Sequence, residues 1–128
     1  MSTQKRATPT GRQDPFSIII HGEPASKSNS RRIVYSSGSY RLIKSKKALL
    51  YLDAFRKQCP VLDPMFTDDV IFEARIYYAS RRPDLDESLI MDALQGRIIS
   101  NDRIIRKKII EGYVDRESPR AEIRISRA

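Results

Sequence analysis

The segment SRRPDLDESLIMDAL, residues 80–94, gathers carboxylates beside two arginines, and Asp102 follows soon after in ISNDR. Asp84 and Asp86 stand two residues apart. Pro83 disfavours a helical backbone at Arg82, so the chain enters the D-x-D extended. In an extended chain residues i and i+2 point the same way. On a helix they would lie about 200° apart. Two carboxylates about 4 Å apart repel by about 4 kcal/mol at an effective dielectric near 20. Arg81 and Arg82 could offset that repulsion, and a divalent cation does so better. Magnesium takes oxygen ligands, keeps several waters, and is held by one or two carboxylates together with substrate phosphates. Asp102 is the natural third member, because Gly96 ends the intervening helix and RIISN can bring the chain back beside its start. Glu87 and Asn101 offer further oxygen donors.

The same residues also suit a purely structural role. Asp84 with Glu87 three positions later has the spacing of a capping box, and Asp86 is an ordinary N-cap residue. Acidic residues at a helix start are favoured by the helix dipole. Asp102 could serve as a turn residue. Asp92 lies six residues past Asp86, about 240° round a helix, which assigns it to a different face.

The elements that must position this cluster follow from periodicity. FSIIIH (16–21) reads as a strand ending at Gly22. ASKSNSRR (25–32) is a polar, basic loop, and IVYSSGSYRLI (33–43) a hairpin turning at Ser-Ser-Gly. Residues 45–59 read as a helix, with Leu49, Leu52, Ala48 and Phe55 at helical spacing, Ser45 as N-cap and Pro60 as terminator. DVIFEARIYYAS (69–80) alternates as a strand does. Residues 85–95 form a short helix stopping at Gly96, and 103–115 and 120–126 are strands. This order predicts one α+β domain over 15–128 with a mainly antiparallel sheet. Residues 1–14, polar and without an apolar core, read as a disordered tail with no secretory signal.

The net charge is +8, unevenly spread. Residues 1–58 hold 12 basic and 3 acidic side chains, residues 59–128 hold 12 and 13. One half suits a polyanion through phosphate contacts and counterion release, and the other carries the carboxylates. Lys27, Arg31 and Arg32 in the loop, Arg81 and Arg82 beside the aspartates, and Lys108 are the main candidates for nucleic-acid phosphate contacts. Arg41, Lys44, Lys46 and Lys47 extend the basic surface. Tyr35 and Tyr40 could stack on unpaired bases, although cross-strand packing is the commoner use of hairpin tyrosines. The single cysteine, Cys59, excludes a disulfide framework or a zinc-finger cluster within one chain. His21 and Met91 read as packing or surface residues. No apolar run approaches a membrane span, so a cytoplasmic protein is expected.

The stretch RRPDLDESLIMDALQGRIISNDRIIRKKI resembles the core of the RusA-type Holliday junction resolvases. That family's pattern is D-x-D-N, a helix with a lysine, D-A-L, a glycine turn, then D-D and a strand. Asp84, Asp86, the triplet Asp92-Ala93-Leu94, Gly96 and Asp102 match it, and EPASKSNSRR resembles the family's early P-x-S-K loop. The similarity covers most of 16–126. It implies a small RusA-like α+β fold, a homodimer, and magnesium- or manganese-dependent cleavage of branched DNA such as four-way junctions, with Asp84, Asp86 and Asp102 as metal-binding, catalytic aspartates. It also implies a bacterial, phage or prophage setting. Glu87 stands where the family has asparagine, Asn101 where it has the first paired aspartate, and Ile90 where it has lysine. Lys27, Lys107 or Lys108 could replace that lysine. On a strand starting at Asp102, Lys108 points the same way as Asp102. Two other functions fit the residues: a non-catalytic, dimeric nucleic-acid-binding module in which the aspartates are caps, and a metal-dependent phosphohydrolase acting on nucleotides.

Overall fold

The computed structural model describes residues 14–26 and 29–128. Residues 1–13 of the expected tail, and Lys27, lie outside the described residues. The strands are β1 (Phe16–His21), β2 (Arg31–Ser36), β3 (Ser39–Lys44), β4 (Val70–Tyr78), β5 (Ile105–Val114) and β6 (Arg120–Arg127), and the helices are α1 (Lys46–Gln58) and α2 (Ser88–Leu94). A short 3-10 turn, Asp102–Ile104, leads into β5.

Four strands form one sheet in the order β1-β6-β4-β5. The β1–β6 and β6–β4 pairs are antiparallel, as expected, but β4 and β5 are parallel. The reason is the connection: α2 and its flanks carry the chain back to the starting end of β4, and a returning crossover yields a parallel neighbour. The hairpin β2–β3 forms a separate two-stranded sheet. Its turn places both Ser37 (φ 53°) and Gly38 (φ 78°) at positive φ, the backbone of a type I′ turn, where glycine avoids the Cβ clash.

Alternation in β4 decides which sheet face is inside. Val70, Phe72, Ala74, Ile76 and Tyr78 are buried, and Ala121, Ile123 and Ile125 of β6 join them. The helices cover this face with Ala48, Tyr51, Leu52 and Phe55 from α1 and Leu89, Ile90, Ala93 and Leu94 from α2. Full burial of each large apolar side chain stabilises the fold by about 1.5–3 kcal/mol. Ser45 caps α1 as expected: its Oγ accepts from the Ala48 N–H at 3.1 Å and donates to the Asn29 carbonyl at 2.7 Å. That second bond ties the helix start to the basic loop.

The expected helix over 85–95 is shorter at its start. It begins at Ser88, which leaves Asp84–Glu87 outside the helix. At its end the glycine stop holds: Gln95 is the C-cap and Gly96 has φ 79°.

Candidate functional site

The D-x-D leaves the sheet just beyond the C-terminal end of β4, where ligand sites collect beside parallel strands. Tyr78 pins it. Its buried hydroxyl donates to the Asp84 carbonyl and accepts the Asp86 backbone N–H, both at 3.2 Å. Burial pushes the Tyr78 phenol above its ordinary pKa, and the Asp86 N–H bond opposes that rise only in part, so the hydroxyl keeps its proton and can donate. Leu85 lies over β5 at Gly112, where an added Cβ would stand 3.2 Å from Leu85 Cδ1. A side chain at Gly112 would therefore press on Leu85, which would have to give by a few tenths of an ångström.

Asp86 is only 8 % exposed. Its Oδ1 accepts from Ser88 Oγ at 2.5 Å and from the Ser88 N–H at 3.1 Å. This is a helix-start interaction made from one residue before the N-cap, Glu87, which forms no side-chain cap itself. The Asp84–Glu87 capping box does not form: the Glu87 carboxylate instead takes Lys108 Nζ at 2.8 Å. Asp86 makes no ion pair among the described residues.

Asp86 also opens onto a hollow of about 420 Å³ that it shares with Arg31, Leu42, Lys44, Ser88 and Asp92. Asp92, assigned from the sequence to another face, therefore stands in the same hollow as Asp86. The helical angle between them does not apply, because Asp86 precedes the helix. Lys44 Nζ lies 3.5 Å from Asp92 Oδ2. A larger hollow, about 750 Å³, sits on the uncovered sheet face among Glu73, Arg75, Glu111, Glu122 and Arg124. It contains none of the three aspartates.

Asp102 is exposed. Its backbone N–H donates to Gln95 Oε1 at 3.1 Å, which ties it to the residue closing α2 rather than to the helix start. Asn101, read as an oxygen ligand, is a cap: its Oδ1 accepts from the Arg103 N–H at 2.7 Å. Among the described residues no three of His, Cys, Asp or Glu come together closely enough to hold a metal ion. The donor set is nonetheless all oxygen, as hard cations prefer. Asp86, buried and without an ion pair among the described residues, fits a cation held by one or two carboxylates and completed by substrate phosphate.

The basic candidates separate by position. Arg31 joins Asp86 in the hollow. Arg32, the next residue of β2, points to the opposite side of the hairpin. Arg81 lines a hollow with Tyr78, Leu85 and Gly112, and the Arg82 N–H donates to Ser80 Oγ at 3.3 Å. Neither arginine pairs with Asp84 or Asp86, so the expected offset of their repulsion is not made by these side chains. Asp102 lies in the 3-10 turn and β5 starts at Ile105, so the strand-register link between Lys108 and Asp102 does not hold. Lys108 still faces the site, because it stands beside the buried Phe72 in register and binds Glu87. Lys107, beside Ile71, is on the other face.

The family model described as Endodeoxyribonuclease RusA matches residues 21–126. The chain belongs to the RusA family. The match runs from the end of β1 into β6 and takes in every site residue described above. No curated protein matches the chain. The RusA family is one of endodeoxyribonucleases, and membership implies action on Holliday junctions. Among the described residues no helix is long and apolar enough to cross a membrane. Two features of this RusA site were hidden in the sequence: the grip of the Tyr78 hydroxyl on the D-x-D backbone, and the place of Asp92, which matches the family triplet, in the same hollow as Asp86.

Proposed function

We propose that this protein is a magnesium-dependent, structure-specific endodeoxyribonuclease that resolves four-way DNA junctions as a homodimer, in recombination and repair. The observation that carries the reading is the buried Asp86 carboxylate, free of ion pairs among the described residues, in a hollow whose other wall is basic. The resemblance assigns magnesium or, as the alternative, manganese to Asp84, Asp86 and Asp102; since the three do not come together among the described residues, the buried Asp86 would anchor the ion and substrate phosphate would complete its shell. When bound, such an ion acidifies the attacking water, polarises the phosphoryl oxygen and stabilises the leaving oxygen. The chain's own residues do the positioning. Tyr78 fixes the backbone on both sides of Leu85. Arg31 and Lys44 draw a phosphate toward Asp86. Lys108, beside Glu87, is the cation placed to take the part of the family lysine replaced by Ile90, stabilising charge on phosphorus. A two-fold dimer would present two such sites for paired cuts.

The binding-module reading also has an observation in its favour, since Asp86 Oδ1 is engaged by Ser88 as a cap would be. One experiment separates the two: a labelled synthetic four-way junction, with magnesium or with EDTA, treated with wild type and with Asp86→Asn. Symmetric nicks that require the metal and vanish in the variant support the nuclease. Tight junction binding with no nick under magnesium or manganese refutes it in favour of the binding module.

A further inference from the structure

The hairpin β2–β3 carries an unusual surface. In its register Arg31 faces Lys44, Ile33 faces Leu42, and Tyr35 faces Tyr40. Directly opposed residues of an antiparallel pair share a face, and so do residues two apart along each strand. These six side chains therefore form one three-rung ladder, cationic at the base, aliphatic in the middle and aromatic at the tip. The upper rungs are open: Ile33 is 68 % exposed, Leu42 61 %, Tyr35 64 % and Tyr40 74 %. The two tyrosine rings meet edge to face, with centroids 4.9 Å apart, which holds them as a pair while leaving ring surface free. An isolated two-stranded hairpin is marginal on its own, and four exposed apolar side chains do not stabilise it in water.

The charge around the ladder selects its occupant. No acidic residue occurs between Glu23 and Asp53, a stretch that includes Arg31, Arg32, Arg41, Lys44, Lys46 and Lys47. The base of the ladder is also continuous with the candidate site, because Arg31, Leu42 and Lys44 line the hollow that holds Asp86. An apolar and aromatic strip set in a cationic surface and ending at a phosphate-seeking site suits DNA whose bases are unstacked.

Resting on the proposed action on branched DNA, we propose that this ladder is the branch-point reader. Tyr35 and Tyr40 stack on bases left unpaired where the arms meet. Ile33 and Leu42 fill the space that opens beneath them, and Arg31 and Lys44 lead the departing strand to Asp86. Four residue steps separate the tip from the base, roughly 13 Å at about 3.3 Å per residue. One strand advances about 3.4 Å per nucleotide. The ladder thus places cleavage within about four nucleotides of the branch point.

The test is photocrosslinking of the full-length wild-type protein, in EDTA, to junctions carrying 5-iodouracil either at the branch point or ten base pairs out along an arm. Crosslinks should map to Tyr35 or Tyr40 for the branch position alone. Tyr35→Ala/Tyr40→Ala should lower the ratio of junction to duplex affinity roughly ten-fold or more. Crosslinks at the hairpin without any nicking in magnesium would sustain this inference while sinking the nuclease reading. Normal cleavage with crosslinks only outside the hairpin would sink this inference and leave the nuclease reading standing. A double variant that turns a dimer into a monomer, and loses junction and duplex binding equally, would mark the hairpin as a subunit contact and also overturn the proposal.

Discussion

Tyr78→Phe removes one oxygen atom from the buried end of β4 and tests whether the D-x-D is held from behind. No cavity of consequence forms, because the ring stays. Two hydrogen bonds disappear, to the Asp84 carbonyl and from the Asp86 N–H, each 3.2 Å long. The first exposes a loop carbonyl to water at little cost. The second leaves a buried donor unpaired, and such groups cost about 1–3 kcal/mol. A loss of roughly 2 kcal/mol follows. With an unfolding entropy of about 2.1 cal/mol/K per residue, the 128-residue chain should melt about 7 °C lower. Cleavage should suffer separately, since groups that orient metal-binding side chains typically contribute about 10–100-fold in metal affinity or activity. The expected signature is a magnesium titration of junction cleavage displaced to higher concentration, measured well below the melting temperature. Tyr77→Phe is the control, because Tyr77 lies on the other sheet face, stacked on Tyr113 at 5.0 Å. If Tyr78→Phe matches wild type in both melting temperature and magnesium requirement, the hydroxyl does not position the site.

Two further perturbations address separate parts of the chain. Lys108→Ala removes the cation paired with Glu87. It should slow junction cleavage at least ten-fold while changing stability by under about 1 kcal/mol, as expected for a half-exposed ion pair; wild-type cleavage rates would exclude Lys108 as the replacement for the family lysine. Tyr51→Phe should stabilise the fold by about 1 kcal/mol, because the Tyr51 hydroxyl is buried with no hydrogen-bond partner among the described residues. Burial also pushes the Tyr51 phenol far above its ordinary range. Above about pH 10 the unfolded chain loses this proton and the folded chain keeps it, so stability falls as pH rises. Thermal melts at pH 8 and pH 11 should show that fall in wild type and a smaller one in the variant.

Much of the scaffold could be read from residue order alone, and the failures have a common cause. β1 has the boundaries its apolar run implies, and β4 announces itself by strict alternation of Val70, Phe72, Ala74 and Ile76. Ser45 and Pro60 bracket α1 correctly. These are local signals. The parallel pairing of β4 with β5 is not local; it depends on where α2 sends the chain. The late start of α2 is a tertiary effect too, because the Tyr78 hydroxyl binds the backbone of Asp84 and Asp86 and holds that segment outside the helix. Once that segment is outside the helix, every angle counted from Asp86 changes, and Asp92 comes into the same hollow. The three aspartates were legible as residue types and spacing. Their surroundings, a buried Asp86 and an exposed Asp102 tied to Gln95, were not. The cationic wall opposite Asp86 comes from β2 and β3, far away in sequence, and only the uneven charge of the two halves hinted at it.

The strand order β1-β6-β4-β5 has a consequence for how the molecule comes into being. β6 sits between β1 and β4, pairing Phe16 with Ile125 and Phe72 with the same Ile125. The sheet's interior is thus filled by the last of its strands in chain order, and β1 must wait for a partner about a hundred residues downstream. Pairings of such long separation carry a loop-closure cost and fold slowly. The acidic loop and the basic hairpin both leave the ribosome before β6, yet neither has a completed sheet to stand on until it arrives. Partial chains would therefore display the cations and the carboxylates without the frame that aligns them.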